Sequence, residues 1–242
     1  MEQSAKEPRT RRIAFILIPH IFAESEEARA GRSGGRSTGR PPEDPALPLV
    51  IVSGSSPRSV IIDCSRALER SAVRRGAFAK SLEPIRESVR VRIADHEYVE
   101  GIHRGIAALL KKYSPRVEAP KAGHYYLDLT GTRRLFGREL DTCGRIIREI
   151  GETFGLHARA GIGGTTLVSR LAARVSGEHG VYDVAVSSEP LFLAPLGVEL
   201  LPGVSSRAKR ELRDAYNIRR IGELEPFTQE QLVGMFGREG IT

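Results

Sequence analysis

The segment KAGHYYLDLT (Lys121–Thr130) decides the fold, because the neighbouring elements can be placed outward from it. It lies within RVEAPKAGHYYLDLTG (116–131), whose pattern predicts a pair of strands. A helix is predicted before this pair, from the N-cap Asp95 to Tyr113, and another after it, from Glu139 to Phe154. The pair is therefore enclosed by two amphipathic helices.

Short strands flank this unit on both sides. RIAFILI (Arg12–Ile18) is too brief and too rich in β-branched residues for a helix, so it predicts a buried strand. ARAGIGG (158–164) predicts another strand, followed by the helix TTLVSRLAARVSG (165–177) and the strand VYDVAV (181–186). The order strand, helix, strand, strand, helix, strand predicts an α+β fold with a ferredoxin-like sheet. The segment 24–87 is inserted after its first strand.

The inserted segment has its own signals. LVIVSG (49–54) and SVIIDCS (59–65) predict two strands, and SRALERSAVRRG (65–76) predicts a short helix that ends at Gly76. Residues 30–48 are dense in Gly, Ser, Pro and Arg and predict a mobile loop. Residues 1–11 are polar and predict a disordered tail.

The C-terminal part is basic around a short turn. The sequence LPGV (201–204), followed by a basic helix, resembles a helix-hairpin-helix, in which a turn with Gly203 lets backbone N–H groups approach a phosphate. Arg213, Arg219 and Arg220 lie close by in sequence. The DNA-binding residues predicted from this pattern are Pro202, Gly203, Val204, Ser205, Ser206, Arg207, Lys209 and Arg210. The alternative is a hairpin that serves only for packing.

Composition limits the cellular setting and the partners. The net charge is +7, which favours polyanionic partners, nucleic acid above all. Cys64 and Cys143 lack a C-x-x-C partner, so neither a disulfide nor a zinc framework is expected. The expected location is therefore the reducing cytoplasm. The longest apolar run, Ile13–Ile18, is too short to cross a bilayer. No signal peptide and no membrane contact are predicted.

Four segments in order resemble the Y-family (lesion-bypass) DNA polymerases. The family's D-x-D-x-F-F-A, S-L-D-E-A-Y-L-D-V-T, A-G-V-A-x-x-K-x-L-A-K-I-A-S-D and I-P-G-V correspond to LIPHIFA (17–23), KAGHYYLDLT (121–130), AGIGGTTLVSRLAAR (160–174) and LPGV (201–204). The resemblance implies a palm of residues 12–23 and 88–186, fingers of 24–87 and a helical thumb of 187–242. The sequence stops at Thr242, inside or just after the thumb, so no little finger is expected among these residues; a truncated chain and a short paralogue both remain open.

The departures from this pattern concern the metal site. A polymerase of this family holds two metal ions about 4 Å apart through carboxylates. By resemblance, the acid positions fall at Leu17, Gly123 and His124, with a further metal contact at Ile18, and none of these residues is an acid. The expectation is therefore a pseudo-polymerase that is not an enzyme, with no catalytic residue, no metal and no cofactor.

The expected grip on a nucleotide triphosphate is altered as well. The family's Thr, Tyr and Arg fall at Asp63, Arg66 and Glu69, and its palm lysine falls at Thr166. An acid there repels a triphosphate. A new metal site formed by His20 and His124 is the alternative, but two imidazoles without a third ligand make a poor site.

One branch of the family matches most specifically. LDLTGTRRLFG (Leu127–Gly137) resembles L-D-x-T-G-x-x-x-L-F-G of the ImuB-type subunit of the bacterial mutasome. The resemblance implies an adaptor that contacts DNA, a RecA-like accessory protein, the sliding clamp and an error-prone polymerase. Family members carry clamp and polymerase contacts beyond the thumb.

Three hypotheses follow from the sequence. The first is a repair scaffold without catalysis, and the second is an active nucleotidyltransferase that uses unusual ligands such as Glu24 or Asp128. The third is a DNA-binding or protein-interaction module outside damage tolerance. Two acids converging near Leu17 would favour the second.

Overall fold

The computed structural model describes residues 10–32, 44, 46–69, 71–177 and 180–236. Most of the predicted tail and most of the predicted mobile loop lie outside these residues. Eight strands and eight α-helices occur in the described part of the chain, with short 3₁₀ helices between them. Their bounds in chain order are β1 Ile13–Leu17, α1 Ile21–Arg32, β2 Leu49–Val52, β3 Ile61–Cys64, β4 Arg90–Ile93, α2 His96–Leu110, β5 Val117–Lys121, β6 His124–Asp128, α3 Arg133–Phe136, α4 Glu139–Phe154, β7 Arg159–Gly163, α5 Thr166–Val175, β8 Val181–Asp183, α6 Glu189–Leu193, α7 Ser206–Asp214 and α8 Gln229–Phe236.

A five-stranded sheet with the order β5-β6-β1-β7-β8 forms the centre. Strand β1 runs antiparallel to both β6 and β7, and β8 is added parallel to β7. The first four strands have the order and directions of a ferredoxin-like sheet. Leu17 at the end of β1 lies opposite both His124 and Arg159. The predicted α+β fold class is confirmed.

Two helices cover one face of this sheet. Helix α2 begins after Asp95, whose side chain accepts a hydrogen bond from the Tyr98 backbone N–H, as predicted. Helix α4 has the predicted bounds and buries Cys143, Ile146 and Ile150. Since side chains alternate across a strand, the buried residues of β1, β6 and β7 on this face complete the core. They are Ala14, Ile16, Tyr125, Leu127, Ala160 and Ile162.

Helix α5 packs on the opposite face, over β7. A Cβ atom at Gly161 would lie 2.1 Å from the Ser169 carbonyl oxygen and 2.2 Å from the Ala173 nitrogen. Both contacts are with backbone atoms, so no side-chain rotation could relieve them. Glycine is required here because helix and strand approach to backbone contact. Helix α5 packs mainly against β7, β1 and β8. We call the rest of this face, over β6 and β5, the open face.

A second sheet has the order β3-β2-β4. Strand β2 pairs antiparallel with β3 and parallel with β4. The helix predicted over residues 65–76 is wrong, because only Arg66–Leu68 forms a 3₁₀ turn. The reason is a backbone pairing beyond it, in which the Gly76 N–H donates to the Ile61 carbonyl and the Ile61 N–H to that of Ala77. This pairing draws the chain back to the sheet and ends helical geometry.

The boundaries of palm, fingers and thumb remain predictions. The two sheets are connected through α1, which follows β1 and packs against β2 and β3. In the ranges that the structure describes, no helix is both long and apolar enough to cross a membrane.

The close packing at Gly161 generates a test of the fold. We expect Gly161→Ala to lower the free energy of unfolding by about 3 kcal/mol, because the added methyl group overlaps the α5 backbone. In Gly144→Ala, inside α4, the methyl group has nothing within 4 Å, so that variant should gain about 0.5–1 kcal/mol. Urea denaturation of both variants measures the difference, and equal stability would contradict the assigned packing.

Candidate nucleic-acid interface

The three positions where the family carries acids meet at the ends of β1 and β6. Leu17 and His124 are directly opposed in the antiparallel register, and Gly123 precedes His124 in the connecting turn. The His124 ring lies edge-on to Phe15, with 5.3 Å between ring centroids. The three residues thus share one location in the structure.

Gly123 has no room for any side chain. Its φ is +78°, and a Cβ atom would lie 2.6 Å from the Ile18 carbonyl oxygen. The Ile18 N–H in turn donates to the Gly123 carbonyl at 2.9 Å, which holds the turn against β1. A carboxylate at this position would require the turn to be rebuilt.

These residues do not fit the metal ions that the fold family implies. Leucine and glycine offer no ligand, and the acids that follow these positions in the sequence have other partners: Glu24 accepts the His157 N–H at 2.7 Å, and Asp128 accepts the Thr130 N–H at 3.0 Å. Within the described ranges, no group of three or more His, Cys, Asp or Glu residues could hold a metal ion. We derive no catalytic step through such an ion.

Asp63, at a predicted nucleotide-grip position, is a buried structural carboxylate. Its Oδ2 accepts the backbone N–H groups of Phe22 and Ala23 at the start of α1, at 3.0 and 3.3 Å. Its Oδ1 accepts the Cys64 N–H and lies 2.5 Å from Nη2 of Arg75. A carboxylate at a helix N-terminus satisfies unpaired donors and complements the helix dipole. Asp63 therefore joins the second sheet to α1.

His20 is buried beside this carboxylate, which governs its protonation. Burial lowers the pKa of His20, but the hydrogen bonds from Asp63 and Cys64 outweigh it and raise the pKa to about 9. The Nδ1 atom lies 3.5 Å from Oδ1 of Asp63 and 2.8 Å from Nη2 of Arg75. A guanidinium can only donate, so the contact between Nη2 of Arg75 and Nδ1 of His20 requires that Nδ1 carries no proton. Once Nδ1 is protonated, both groups are donors and the distance between them must lengthen.

Basic residues gather around His124 on the open face. Burial, followed by the positive charges of Lys121, Arg170, Arg174 and Arg75, lowers the pKa of His124 to about 3. Burial, with the same arginines, also lowers the pKa of Lys121. The neutral His124 ring is therefore surrounded by cations rather than by the acids of a metal site.

A basic groove lies in the C-terminal part and has a volume of about 840 Å³. Its lining is dominated by five basic residues with a single acid, Glu199. The basic residues are Lys209, Arg210, Arg213, Arg219 and Arg220. Arg213 is paired with Asp214, with 2.9 Å between Nε and Oδ1, so the free charge comes mainly from the other four.

The groove and the open face are joined at the 3₁₀ turn Val198–Leu200. Nη1 of Arg174 donates to the Leu200 carbonyl at 3.0 Å, and Nζ of Lys209 donates to the Glu199 carbonyl at 3.1 Å. Burial and the charges of Arg174 and Arg170 lower the pKa of Lys209, so helices α5 and α7 bring their cations close together. One continuous basic strip runs from β6 to the groove.

The predicted DNA-binding residues are only partly brought together. Ser206, Lys209 and Arg210 line the groove, whereas Arg207 does not. The turn Pro202–Ser205 contributes structure: Gly203 has φ of +82°, and Ser205 caps α7 by accepting the Ala208 N–H. The element before this turn is a three-residue 3₁₀ helix rather than a full helix.

Sequence reasoning missed Lys121, Arg170 and Arg174. Arg170 and Arg174 are four residues apart in α5, and this spacing places them on one helix face. That signal was available in the sequence. The face to which it points follows only from the packing of α5 at Gly161.

The fold defined by these two sheets is that of solved Y-family DNA polymerases. DinB from Sulfolobus solfataricus superposes with a TM-score of 0.80 at 19% identity, over 95% of this chain and 64% of that one. The chain belongs to the impB/mucB/samB family, whose model matches residues 40–174. The predicted membership in the Y family is confirmed, while the ImuB-type branch is not shown.

Curated relatives give the same family. DNA polymerase IV of Clostridium kluyveri is 30% identical over 146 residues, which are 60% of this chain and 36% of the relative. DNA polymerase IV of Desulfatibacillum aliphaticivorans is 29% identical over 194 residues, 79% of this chain and 48% of the relative. The chain thus spans less than half the length of these relatives.

These relatives correct the prediction on catalysis. The chain was expected not to be an enzyme, because Leu17, Gly123 and His124 replace the family's acids. That prediction is contradicted, since the relatives are named as DNA polymerase IV, an enzyme.

The His124 environment predicts a pH effect. A histidine whose pKa is lowered in the folded state to about 3 stays neutral there, while the unfolded chain takes up a proton below about pH 6.5. The contribution of His124 to the free energy of unfolding is fully present above that pH and is lost as the pH falls. Compared with His124→Gln, the native chain should lose about 1 kcal/mol more per pH unit between about pH 6 and 4, after allowance for solvent screening. The same pH dependence of the unfolding free energy in the native chain and in His124→Gln would contradict this.

The Asp63 network predicts a stability effect. Asp63→Ala should lower the free energy of unfolding by about 3 kcal/mol, since it removes the acceptor of three backbone N–H groups and of Arg75. The exposed pair Arg213–Asp214 offers a control, and Asp214→Ala should change little. Chemical denaturation measures both, and a neutral Asp63→Ala would show that the carboxylate does not hold α1.

Proposed function

We propose that this chain is a DNA-binding protein of DNA repair and error-prone translesion synthesis, acting as an adaptor of the ImuB type. The observation that carries the DNA-binding part is the basic groove with its continuation onto the open face. The adaptor part rests on the segment Leu127–Gly137 and on the surface that this segment forms.

The groove suits a phosphate backbone. Arg210 lines it without an ion-pair partner among the residues described, and Lys209 bonds only a carbonyl oxygen. Glu223 offsets part of the charge of Arg219 and Arg220. Uncompensated guanidinium groups are strong ligands for phosphate oxygens. Contacts of this kind bind DNA largely without regard to sequence. The known relatives, which are DNA polymerases, support DNA as the polyanion.

The segment Leu127–Gly137 presents an exposed leucine side chain beside two arginines. Gly131 and Gly137 have φ of +77° and +85° and bracket α3. Between them Leu135 is 79% exposed, next to exposed Arg133 and Arg134. An exposed leucine with adjacent arginines suits a protein partner whose surface is apolar and acidic. By family resemblance, the candidates are a RecA-like accessory protein, the sliding clamp and an error-prone polymerase.

The second candidate function is DNA-directed DNA synthesis. Its support is the name DNA polymerase IV carried by the relatives. Primer extension on a primer–template with Mg²⁺ or Mn²⁺ tests it directly. Template-dependent incorporation by the purified chain, lost when the chain is heat-inactivated, would establish this activity, and its absence would leave DNA binding and bridging as the function to test.

The DNA contact predicts a change in salt dependence. Phosphate contacts release counterions, and each lost contact lowers the slope of log K against log salt by about 0.9. We expect Lys209→Ala with Arg210→Ala to weaken duplex binding and flatten the slope by up to about 2. Arg104→Ala with Arg148→Ala removes the same charge from exposed positions on α2 and α4, across the sheet, and should leave the slope unchanged. Equal slopes for the two double variants would contradict the groove as the binding site.

The adaptor role predicts a selective loss of protein binding. Leu135→Glu should weaken binding to at least one of the three purified partner proteins about tenfold or more, because an apolar contact becomes a buried charge. Leu191 is equally exposed, at 79%, so Leu191→Glu is the matched control. Both variants should keep native DNA affinity. If Leu135→Glu binds every partner as well as the control does, the segment is not the adaptor surface.

A further inference from the structure

The open face carries a cluster of cations in the place where the family holds metal ions. Side chains alternate along β6, so His124 and Tyr126 lie on this face while Tyr125 and Leu127 enter the core. Lys121 is paired with His124 in the hairpin. Arg170 and Arg174 reach the face from α5. We call Lys121, His124, Arg170 and Arg174 the sheet-face cluster.

No acid neutralises this cluster in the described part of the chain. The neighbouring acids are engaged elsewhere: Asp63 pairs with Arg75, and Glu69 lies 3.8 Å from Arg159. Asp128, at the other end of β6, accepts from Thr130 and faces Arg116. The positive charges of Lys121, Arg170 and Arg174 therefore act on one another without compensation.

Arg170 has a buried donor without an acceptor. Its Nε atom is buried and has no hydrogen-bond partner in the described structure. A buried guanidinium N–H without an acceptor costs free energy, and native proteins seldom leave one unpaired. Arg174 uses Nη1 for the Leu200 carbonyl, which fixes its guanidinium, and the charges of both arginines act on His124.

We infer that the sheet-face cluster binds a phosphate group directly, without a divalent cation. Arg170, Arg174 and Lys121 are its donors, and two arginines with a lysine match the oxygens of a phosphate. A divalent cation among three cations would be repelled, whereas an anion is attracted. The phosphate comes either from a DNA strand or from a nucleotide triphosphate. Its biological source rests on the proposed function, but phosphate binding itself does not.

Binding of phosphate should change the protonation of His124. In the free chain the facing groups are all cationic or uncharged: Lys121 from β5, Arg170 and Arg174 from α5, Arg75 from the segment between β3 and β4, and the Phe15 ring beside it. A phosphate among them favours the imidazolium and raises the pKa of His124. Binding is then coupled to proton uptake, so the affinity rises as the pH falls toward the pKa of the bound form.

The experiment follows the His124 ring by NMR in EDTA. The ring signal is assigned by its loss in His124→Gln, and its titration is recorded with and without sodium tripolyphosphate. We expect tripolyphosphate to raise the pKa of His124 by at least about one unit and to bind about tenfold more weakly to Arg170→Gln with Arg174→Gln. Lys121→Gln, in an exposed hairpin, gives a second variant should the double variant fail to fold. Arg104→Gln with Arg148→Gln is the charge-matched control and should bind as the native chain does.

A duplex oligonucleotide, titrated in the same way, identifies the source. A raised pKa of His124 in the presence of the duplex supports the phosphate of a DNA strand. A raised pKa with tripolyphosphate but not with the duplex supports a nucleotide triphosphate. Lys209→Ala with Arg210→Ala should keep the tripolyphosphate effect even if duplex binding is lost, which separates this inference from the proposed function. An unmoved His124 signal with both probes, or an effect that requires Mg²⁺, would overturn it.

Discussion

The backbone contact between α5 and β7 at Gly161 is the constraint on which the interface depends. Because no side chain separates helix from strand there, α5 lies directly on the sheet, and Arg170 and Arg174 have one direction in which to extend. The location of the cations thus follows from one packing requirement.

The distribution of charge follows from where the acids are used. Asp63 accepts hydrogen bonds at the start of α1 and pairs with Arg75, and Asp128 accepts a hydrogen bond in the turn after β6. At the ends of β1 and β6, Leu17 and Gly123 bring no charge. Coulomb repulsion among the remaining cations then makes the open face a place for an anion. The groove extends this field along α7, so the account predicts that a long polyanion binds better than a small one.

The fold could be predicted from local patterns because its elements are locally encoded. The N-cap Asp95 and the apolar spacing of α4 define helices without reference to the rest of the chain, and the short runs around β1 and β6 can only be strands. The segment 65–76 was predicted wrongly because its conformation is determined by pairing with Ile61, a contact invisible to local propensity. The groove residues Lys209 and Arg210 were found from a charge run. Arg170 and Arg174 were not, since the surface toward which they extend depends on the packing of α5 at Gly161.

The most direct test of the basic strip is acetylation of lysines by mass spectrometry, with and without duplex DNA. Lys121 lies on the open face and Lys209 in the groove, whereas Lys111 follows α2 on the opposite side of the sheet. The account predicts that DNA protects Lys121 and Lys209 together and leaves the reactivity of Lys111 unchanged. Unchanged reactivity of Lys121 and Lys209 at a saturating DNA concentration would contradict it.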